Sequence, residues 1–185
     1  MSGELIYNMW YVASHGATVA RGKTITLTML NEPLLLGRDS QGKVFALRDF
    51  CPHRGIPLSY GTFDGQQIEC CYHGWTFNCQ GQCTKVPSLT EEDTVDISRI
   101  KAARFPCEEV EGIIWVYIPA PKTRVPEVLP EVPRMPGPQD KRFLLVDSLA
   151  FPCNIDHAVI GLMDPAHAAY VHDHWWWKRK ARLKE

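Results

Sequence analysis

The sequence predicts a mainly β N-terminal domain, with short antiparallel strands in a sandwich-like arrangement, followed by the start of an α+β domain. Two observations predict this order. Runs of branched and aromatic residues alternate with turn residues up to position 118. After a proline-rich stretch, alanine, leucine, methionine and histidine recur at helix-compatible spacing between 154 and 172.

The β domain, predicted over residues 7–118, rests on four runs that favour strands. Turn signals separate the runs, namely Asp-Ser-Gln-Gly at 39–42, Asp-Gly at 64–65 and Gln-Gly-Gln at 80–82. The four predicted strands are 24–30, 33–38, 44–48 and 112–118.

The next segment is rich in proline, with seven of the fourteen prolines between positions 119 and 138. Such a stretch can form neither a helix nor a central strand, because proline lacks an N–H donor. We therefore predict a linker or extended wrapping segment over 119–140. One more strand is expected at 142–150, so that 141–185 is the beginning of an incomplete second domain.

Composition limits the functional classes. The 185 residues include 45% apolar and 22% charged residues, as in ordinary globular proteins. Twenty basic and twenty-one acidic residues give a net charge of −1, which disfavours nucleic acid as a partner. No apolar run approaches the roughly 18 residues of a membrane span and no signal layout precedes the domain, so we expect a cytoplasmic protein without a membrane partner.

The strongest chemical signal is a pair of cysteine–histidine motifs. Cys51 and His53 lie in one motif, and Cys70 and His73 lie sixteen residues beyond it. Two thiolates and two imidazoles are the ligand set of a Rieske [2Fe–2S] cluster. Zinc is the alternative, although structural zinc sites usually pair cysteine with cysteine and histidine with histidine.

These motifs resemble the cluster-binding loops of bacterial Rieske oxygenases. The resemblance rests on Cys-Pro-His-Arg-Gly at 51–55, Leu-Ser at 58–59 and His-Gly-Trp-Thr-Phe at 73–77, and it extends to flanks at 10–13 and 105–116. High-potential respiratory Rieske proteins are less similar, because Ile56 and Tyr72 stand where those proteins carry disulfide cysteines. Cys71 departs from the family, which more often has proline there, and its place beside Cys70 leaves an alternative thiol ligand.

A second candidate metal site lies near the end of the chain. Asp164, His167 and His172 resemble the mononuclear-iron motif of Rieske oxygenase catalytic subunits, and two histidines with a carboxylate form the facial triad of non-haem Fe(II) oxygenases. Asp164 and His167 share a helix face, whereas His172 requires the turn to loosen. An ordinary structural role for the three residues is the alternative.

The resemblance implies particular roles for these residues. His167 and His172 would bind the iron, and Asp164 would be the catalytic bridge to a cluster histidine of a neighbouring subunit. The family's third iron ligand is a distant carboxylate with no counterpart in the 185 residues. We therefore expect a truncated form of a longer protein, inactive on its own.

The leading functional hypothesis is an oxidoreductase, the catalytic (α) subunit of a Rieske oxygenase that hydroxylates or oxidatively demethylates an aromatic or related substrate with dioxygen. The resemblance implies a [2Fe–2S] cluster, a mononuclear Fe(II), electrons from NAD(P)H through a reductase or ferredoxin, and a homotrimer. A Rieske ferredoxin without its own oxygenase site and a zinc-stapled binding module are the alternatives.

Overall fold

The computed structural model describes residues 5–90, 92–134, 149–164, 166–167 and 171. The chain divides into two compact units, Met1–Lys141 and Arg142–Glu185. Among the described residues, no helix is long and apolar enough to cross a membrane.

The first unit is an antiparallel β structure, which confirms the predicted fold class. Three sheets, with strand orders β1-β11-β10, β2-β3-β4-β9 and β5-β6-β7-β8, make up its described part. The strands are β1 Met9–His15, β2 Lys23–Met29, β3 Glu32–Arg38, β4 Val44–Arg48, β5 Thr62–Phe63, β6 Gln67–Glu69, β7 Thr76–Asn78, β8 Cys83–Lys85, β9 Arg104–Phe105, β10 Cys107–Val110 and β11 Ile113–Ile118.

In the sheet β2-β3-β4-β9, called here the central sheet, strand β3 is buried on both faces. Leu34 and Leu36 of β3 pack with β11 residues such as Val116, whereas Leu35 between them packs into the opposite core with Phe77 of β7. Alternation along a strand sends successive side chains to opposite faces. An unbroken apolar run is therefore what a strand between two cores requires.

All four predicted strands are confirmed. β4 has the predicted bounds, and the bounds of β2, β3 and β11 differ from the prediction by at most one residue at either end. Short 3₁₀ helices connect some strands, at Gly16–Thr18, Leu58–Tyr60 and Ile97–Arg99. Each predicted turn is present; the amide of Gly42, for example, donates to the carbonyl of Asp39 at 3.0 Å.

The described part of the proline-rich segment, 119–134, contains neither helix nor strand. It is fixed to the first sheet, because the indole N–H of Trp10 donates to the carbonyl of Pro130 at 2.8 Å. Leu129 and Val132 pack beside the same indole. Residues 135–140 of the predicted segment lie outside the described part.

The described part of the second unit contains helix α1, Ile155–Met163. The side chain of Asn154 caps it by accepting the amide of Asp156 at 2.8 Å. The helix ends at Met163 because Asp164 precedes Pro165, and the residue before proline is driven out of the helical region. The strand predicted at 142–150 lies outside the described residues except for its last two, which have no regular structure.

Candidate metal centre

The first cysteine–histidine motif forms a tight loop directly after β4. The amide of Cys51 donates to the carbonyl of Ile56 at 2.8 Å, and the amide of Gly55 donates back to the carbonyl of Cys51 at 2.8 Å. These two bonds close the loop around its own cysteine. The side chains at positions 51 and 53 are therefore carried by a short, cross-bonded turn.

The second motif, between β6 and β7, repeats this hydrogen-bond pattern. The amide of Cys70 donates to the carbonyl of Trp75 at 2.9 Å, and the amide of Gly74 donates to the carbonyl of Cys70 at 3.0 Å. In both loops the amide of the cysteine donates to the carbonyl of the fifth residue beyond it. The fourth residue beyond it is a glycine, whose amide donates to the carbonyl of the cysteine. The histidine stands two residues after the cysteine in the first loop and three after it in the second.

Both loops depend on glycine in the left-handed region. The φ angles are 76° at Gly55 and 70° at Gly74, which side chains rarely allow. Space is also short: a Cβ at Gly55 would lie 3.0 Å from the Phe50 ring, and one at Gly74 would lie 3.0 Å from Cγ of Pro87. The glycines in the two motifs are thus required by the loop geometry.

The two loops bring Cys51 and Cys70 together at the edge of the core, where they are 1% and 2% exposed. Burial, followed by the hydrogen bond to Cys70, raises the pKa of the Cys51 thiol to about 11. The amides of His53 and Arg54 donate to the Cys51 sulfur and oppose that rise in pKa. Amides aimed at a sulfur in a dry pocket suit a thiolate that a metal holds deprotonated.

The imidazoles of His53 and His73 also meet. Their ring centroids are 4.6 Å apart with an interplanar angle of 58°. His53 is half-buried, and desolvation together with the charges of His73 and Arg54 lowers its pKa. A neutral imidazole is the form that binds a metal.

The four predicted ligands thus form two pairs. The two thiols lie in the core, and the two imidazoles lie nearer to solvent. In the described part of the chain, no three His, Cys, Asp or Glu side chains are grouped as they would be around a single metal ion. Two pairs match the demand of a two-iron cluster, with two thiolates on one iron and two imidazoles on the other. The donor set and its burial therefore fit this group.

Cys71, the alternative thiol, is exposed, whereas its neighbour Cys70 is buried beside Cys51. The other cysteines outside the motifs are Cys79 and Cys83 in the core, the half-buried Cys107, and the exposed Cys153.

Two further residues support the loops and were not singled out from the sequence. Asp49 bonds to Ser59 across the base of the first loop, and Trp75 covers one face of His53. Trp75 belongs to the His-Gly-Trp-Thr-Phe motif at 73–77, but no spacing rule predicts which residue an aromatic side chain in a loop contacts. Asp49 lies ten residues from its partner, beyond the range of any local hydrogen-bond pattern.

The second candidate site is described in part. Asp164 follows α1, its carboxylate accepts the amide of Ala166 at 2.9 Å, and its other oxygen lies 3.8 Å from Nδ1 of His167. The structure therefore places these two predicted residues side by side. His172 lies outside the described residues.

The Rieske [2Fe–2S] domain family matches residues 9–106, which is more than half of the chain and includes both cysteine–histidine loops. The chain belongs to the Rieske family. The cofactor of its first unit is accordingly a [2Fe–2S] cluster.

Curated relatives of this Rieske chain include oxygenases. It is 34% identical over 172 residues to chlorophyllide a oxygenase of Chlamydomonas reinhardtii, covering 91% of this chain and 25% of the relative. It is 36% identical over 134 residues to the oxygenase subunit of 3-chlorobenzoate-3,4-dioxygenase of Comamonas testosteroni, covering 72% and 30%. The Rieske chain therefore spans less than a third of the length of these two relatives.

Solved structures agree with this relationship. Dicamba monooxygenase bound to dicamba is 34% identical, with a TM-score of 0.54 over 67% of this chain and 36% of that one. The oxygenase in an oxygenase–ferredoxin complex of carbazole 1,9a-dioxygenase is 29% identical, with a TM-score of 0.55 over 61% and 29%. The Rieske chain is thus related to oxidoreductases of the Rieske oxygenase type.

Proposed function

We propose that Cys51, His53, Cys70 and His73 hold the [2Fe–2S] cluster of this protein. The arrangement of the four side chains carries the proposal, because two thiols meet in the core and two imidazoles meet beside them. When bound, such a cluster accepts and releases one electron at a time.

The residues around the site determine from which side water and a partner protein can reach the cluster. Cys51 and Cys70 are enclosed by core residues and keep water from the sulfur side of the site. His73 is exposed and His53 is half-buried, so the imidazole pair faces solvent. We infer that electrons enter and leave on the imidazole side, since it offers the shortest path to a partner.

We further propose that the chain is the Rieske portion of an oxygenase whose cluster serves a mononuclear iron held by His167 and His172. Such an iron, when bound, activates dioxygen for attack on an organic substrate. The carboxylate of Asp164 lies 3.8 Å from the imidazole Nδ1 of His167, which is close but longer than a hydrogen bond. A carboxylate that accepts the N–H of a metal-binding histidine fixes its tautomer and raises its basicity, and we propose this role for Asp164 when the iron is bound.

The relatives guide the proposed partners and substrates. The carbazole oxygenase structure contains a ferredoxin, which supports a ferredoxin or a reductase as the electron donor, with NAD(P)H as the ultimate source. The relatives named for 3-chlorobenzoate, toluene-4-sulfonate and 5,5'-dehydrodivanillate support an aromatic or related organic substrate. We propose dioxygen as co-substrate, a homotrimeric assembly, and a third, carboxylate iron ligand beyond those assigned.

The test compares the complete protein, which includes the segment with the third iron ligand, with two of its variants in an assay that supplies NAD(P)H, reductase and ferredoxin. His167→Ala is expected to keep the cluster absorbance, to lose one iron per chain and to lose product formation. His157→Ala, which alters an exposed histidine of α1, is the matched control and is expected to keep all three.

Loss of the cluster absorbance in His167→Ala would contradict the assignment of two separate sites. A complete protein with only two irons and two sulfides that passes electrons but forms no product would contradict the oxygenase role, and would favour a ferredoxin-type carrier.

A further inference from the structure

The indole of Trp75 lies flat on the imidazole of His53. Their ring centroids are 4.3 Å apart and their planes differ by 3°. The two residues belong to different loops, because His53 follows β4 and Trp75 precedes β7. This stack therefore links the two loops at the level of their side chains.

Trp75 has the firmer support of the two. Its carbonyl accepts the amide of Cys70 at 2.9 Å, and the next two residues, Thr76 and Phe77, are buried in β7. The indole also packs against the core that surrounds both cysteines. The position of Trp75 is thus fixed by the sheet, and the imidazole rests on it.

The other imidazole has a different neighbour. The ring of Tyr72 lies 4.0 Å from that of His73 at an angle of 43°, and Tyr72 is 60% exposed. Tyr72 adjoins His73 in the chain, so this contact joins no separate elements. The tilt also leaves the face of His73 only partly covered, whereas the parallel stack covers one whole face of His53.

Stacking matters because an imidazole turns easily about its last side-chain torsion, which has a broad, nearly two-fold profile. A flat indole on one face restricts that rotation and excludes water from that face. For a histidine that binds an iron, the ring plane decides how the nitrogen lone pair meets the metal, and exposure affects the potential of the cluster.

We propose that Trp75 is a positioning residue for the cluster. From the second loop, its indole sets the plane of the His53 imidazole in the first loop and shields that imidazole from water. This inference rests on the proposed ligand role of His53, and it assigns to Trp75 a function in the electronic properties of the cluster in addition to packing.

The experiment measures iron and sulfide content, the EPR spectrum of the reduced protein and the reduction potential at one fixed pH. Four variants are compared with the protein: Trp75→Phe, Trp75→Leu, Trp75→Met and Tyr72→Leu. All are expected to retain the iron content of the unaltered protein and the two sulfides per chain of the cluster.

Trp75→Leu and Trp75→Met are expected to broaden the EPR lines, because the His53 plane is no longer fixed. Their potentials are expected to rise, since water at the imidazole stabilises the negative charge that reduction adds. Trp75→Phe restores a flat ring and is expected to restore both properties. Tyr72→Leu, the matched control on the other imidazole, is expected to change the two properties less.

Unaltered EPR lines and potential in Trp75→Leu and Trp75→Met, with the cluster intact, would overturn the proposal. Loss of the cluster in every Trp75 variant, including Trp75→Phe, would also overturn it, because the indole would then be needed for folding alone. An unaltered protein that binds no iron and sulfide would instead refute the ligand assignment itself.

Discussion

The carboxylate of Asp49 receives two hydrogen bonds from Ser59, one from the backbone N–H at 2.8 Å and one from the hydroxyl at 2.6 Å. Asp49 lies just before the first cysteine–histidine loop, and Ser59 lies just after it, in the 3₁₀ helix Leu58–Tyr60. The pair therefore closes the base of the loop that carries Cys51 and His53. The amide of Asp49 is itself bonded to the carbonyl of Pro33 at the start of β3, which fixes the pair to the central sheet.

Ser59→Ala removes the hydroxyl bond and is expected to lower the free energy of unfolding by about 2 kcal/mol, the range for a partly buried bond to a charged group. The cluster absorbance should also decay faster in the presence of a chelator. Ser98→Ala is the matched control, because Ser98 makes the same pair of bonds to Asp96 at 3.0 and 2.6 Å on the exposed surface. Equal rates of cluster loss in the two variants would contradict a specific role for Ser59.

Gly74→Ala is expected to cost about 1–2 kcal/mol in stability, because it forces a side chain into the left-handed region, where φ is 70°. The added Cβ also meets Pro87, so the cluster content should fall. Gly22→Ala provides the control, with a φ of 66° and its nearest new contact at 3.9 Å. Denaturant unfolding and iron analysis should show a stability loss in both variants and iron loss in Gly74→Ala alone.

Arg38 joins several segments of the first unit. Its guanidinium donates to the carbonyls of Gly16, Val19 and Gly42 at 2.8–3.0 Å and to the carboxylate of Glu109 at 2.6 Å. Its side chain is 13% exposed, so removing it strands acceptors in a largely dry site.

Arg38→Ala is therefore expected to lower the free energy of unfolding by about 3 kcal/mol. Arg134→Ala breaks a 3.6 Å ion pair at a side chain that is 79% exposed, and is expected to cost less than about 1 kcal/mol. Chemical denaturation monitored by circular dichroism measures both values. Similar losses in the two variants would refute the role of Arg38.

The buried thiol of Cys79 is expected to make the stability of the protein depend on pH in the alkaline range. Burial, followed by the nearby carboxylates of Asp39 and Asp64, raises the pKa of this thiol from 9.0 to about 11. Between these values the unfolded chain loses the proton and the folded chain keeps it, so the stability present below pH 9 is lost as pH rises toward about 11.

Cys79→Ala is expected to make this alkaline loss of stability shallower, whereas Cys153→Ala, at an exposed cysteine, should leave it unchanged. Urea unfolding at several pH values between 8 and 11 provides the measurement. An unchanged slope in Cys79→Ala would show that this thiol does not govern the alkaline transition.

The strands were predictable where local residues decide them. β3 and β4 are joined by a turn with clear aspartate and glycine signals at 39–42, and the branched residues of β2, β3 and β4 favour strands. The pairing of β1 with β11 was not predictable, because Trp10 and its partner Tyr117 are far apart in the chain and only packing brings them together.

The candidate site shows the same division. Spacing alone indicated Cys51, His53, Cys70 and His73 as ligands, since thiolate and imidazole combinations are chemically restrictive. The stack of Trp75 on His53 arises from the meeting of two loops, and no sequence pattern encodes it. The early end of α1, by contrast, could have been predicted from Pro165, which disfavours helix at the preceding residue.

Two cysteines and two histidines are the ligands that we assign to the [2Fe–2S] cluster. Pulsed EPR of the reduced protein, grown with ¹⁵N-labelled histidine, measures this ligand set. We expect couplings to two ligating histidine nitrogens, with one lost in His53→Ala or His73→Ala wherever the cluster persists. A reduced cluster without any histidine coupling would contradict this assignment, as would a protein that contains zinc and no sulfide.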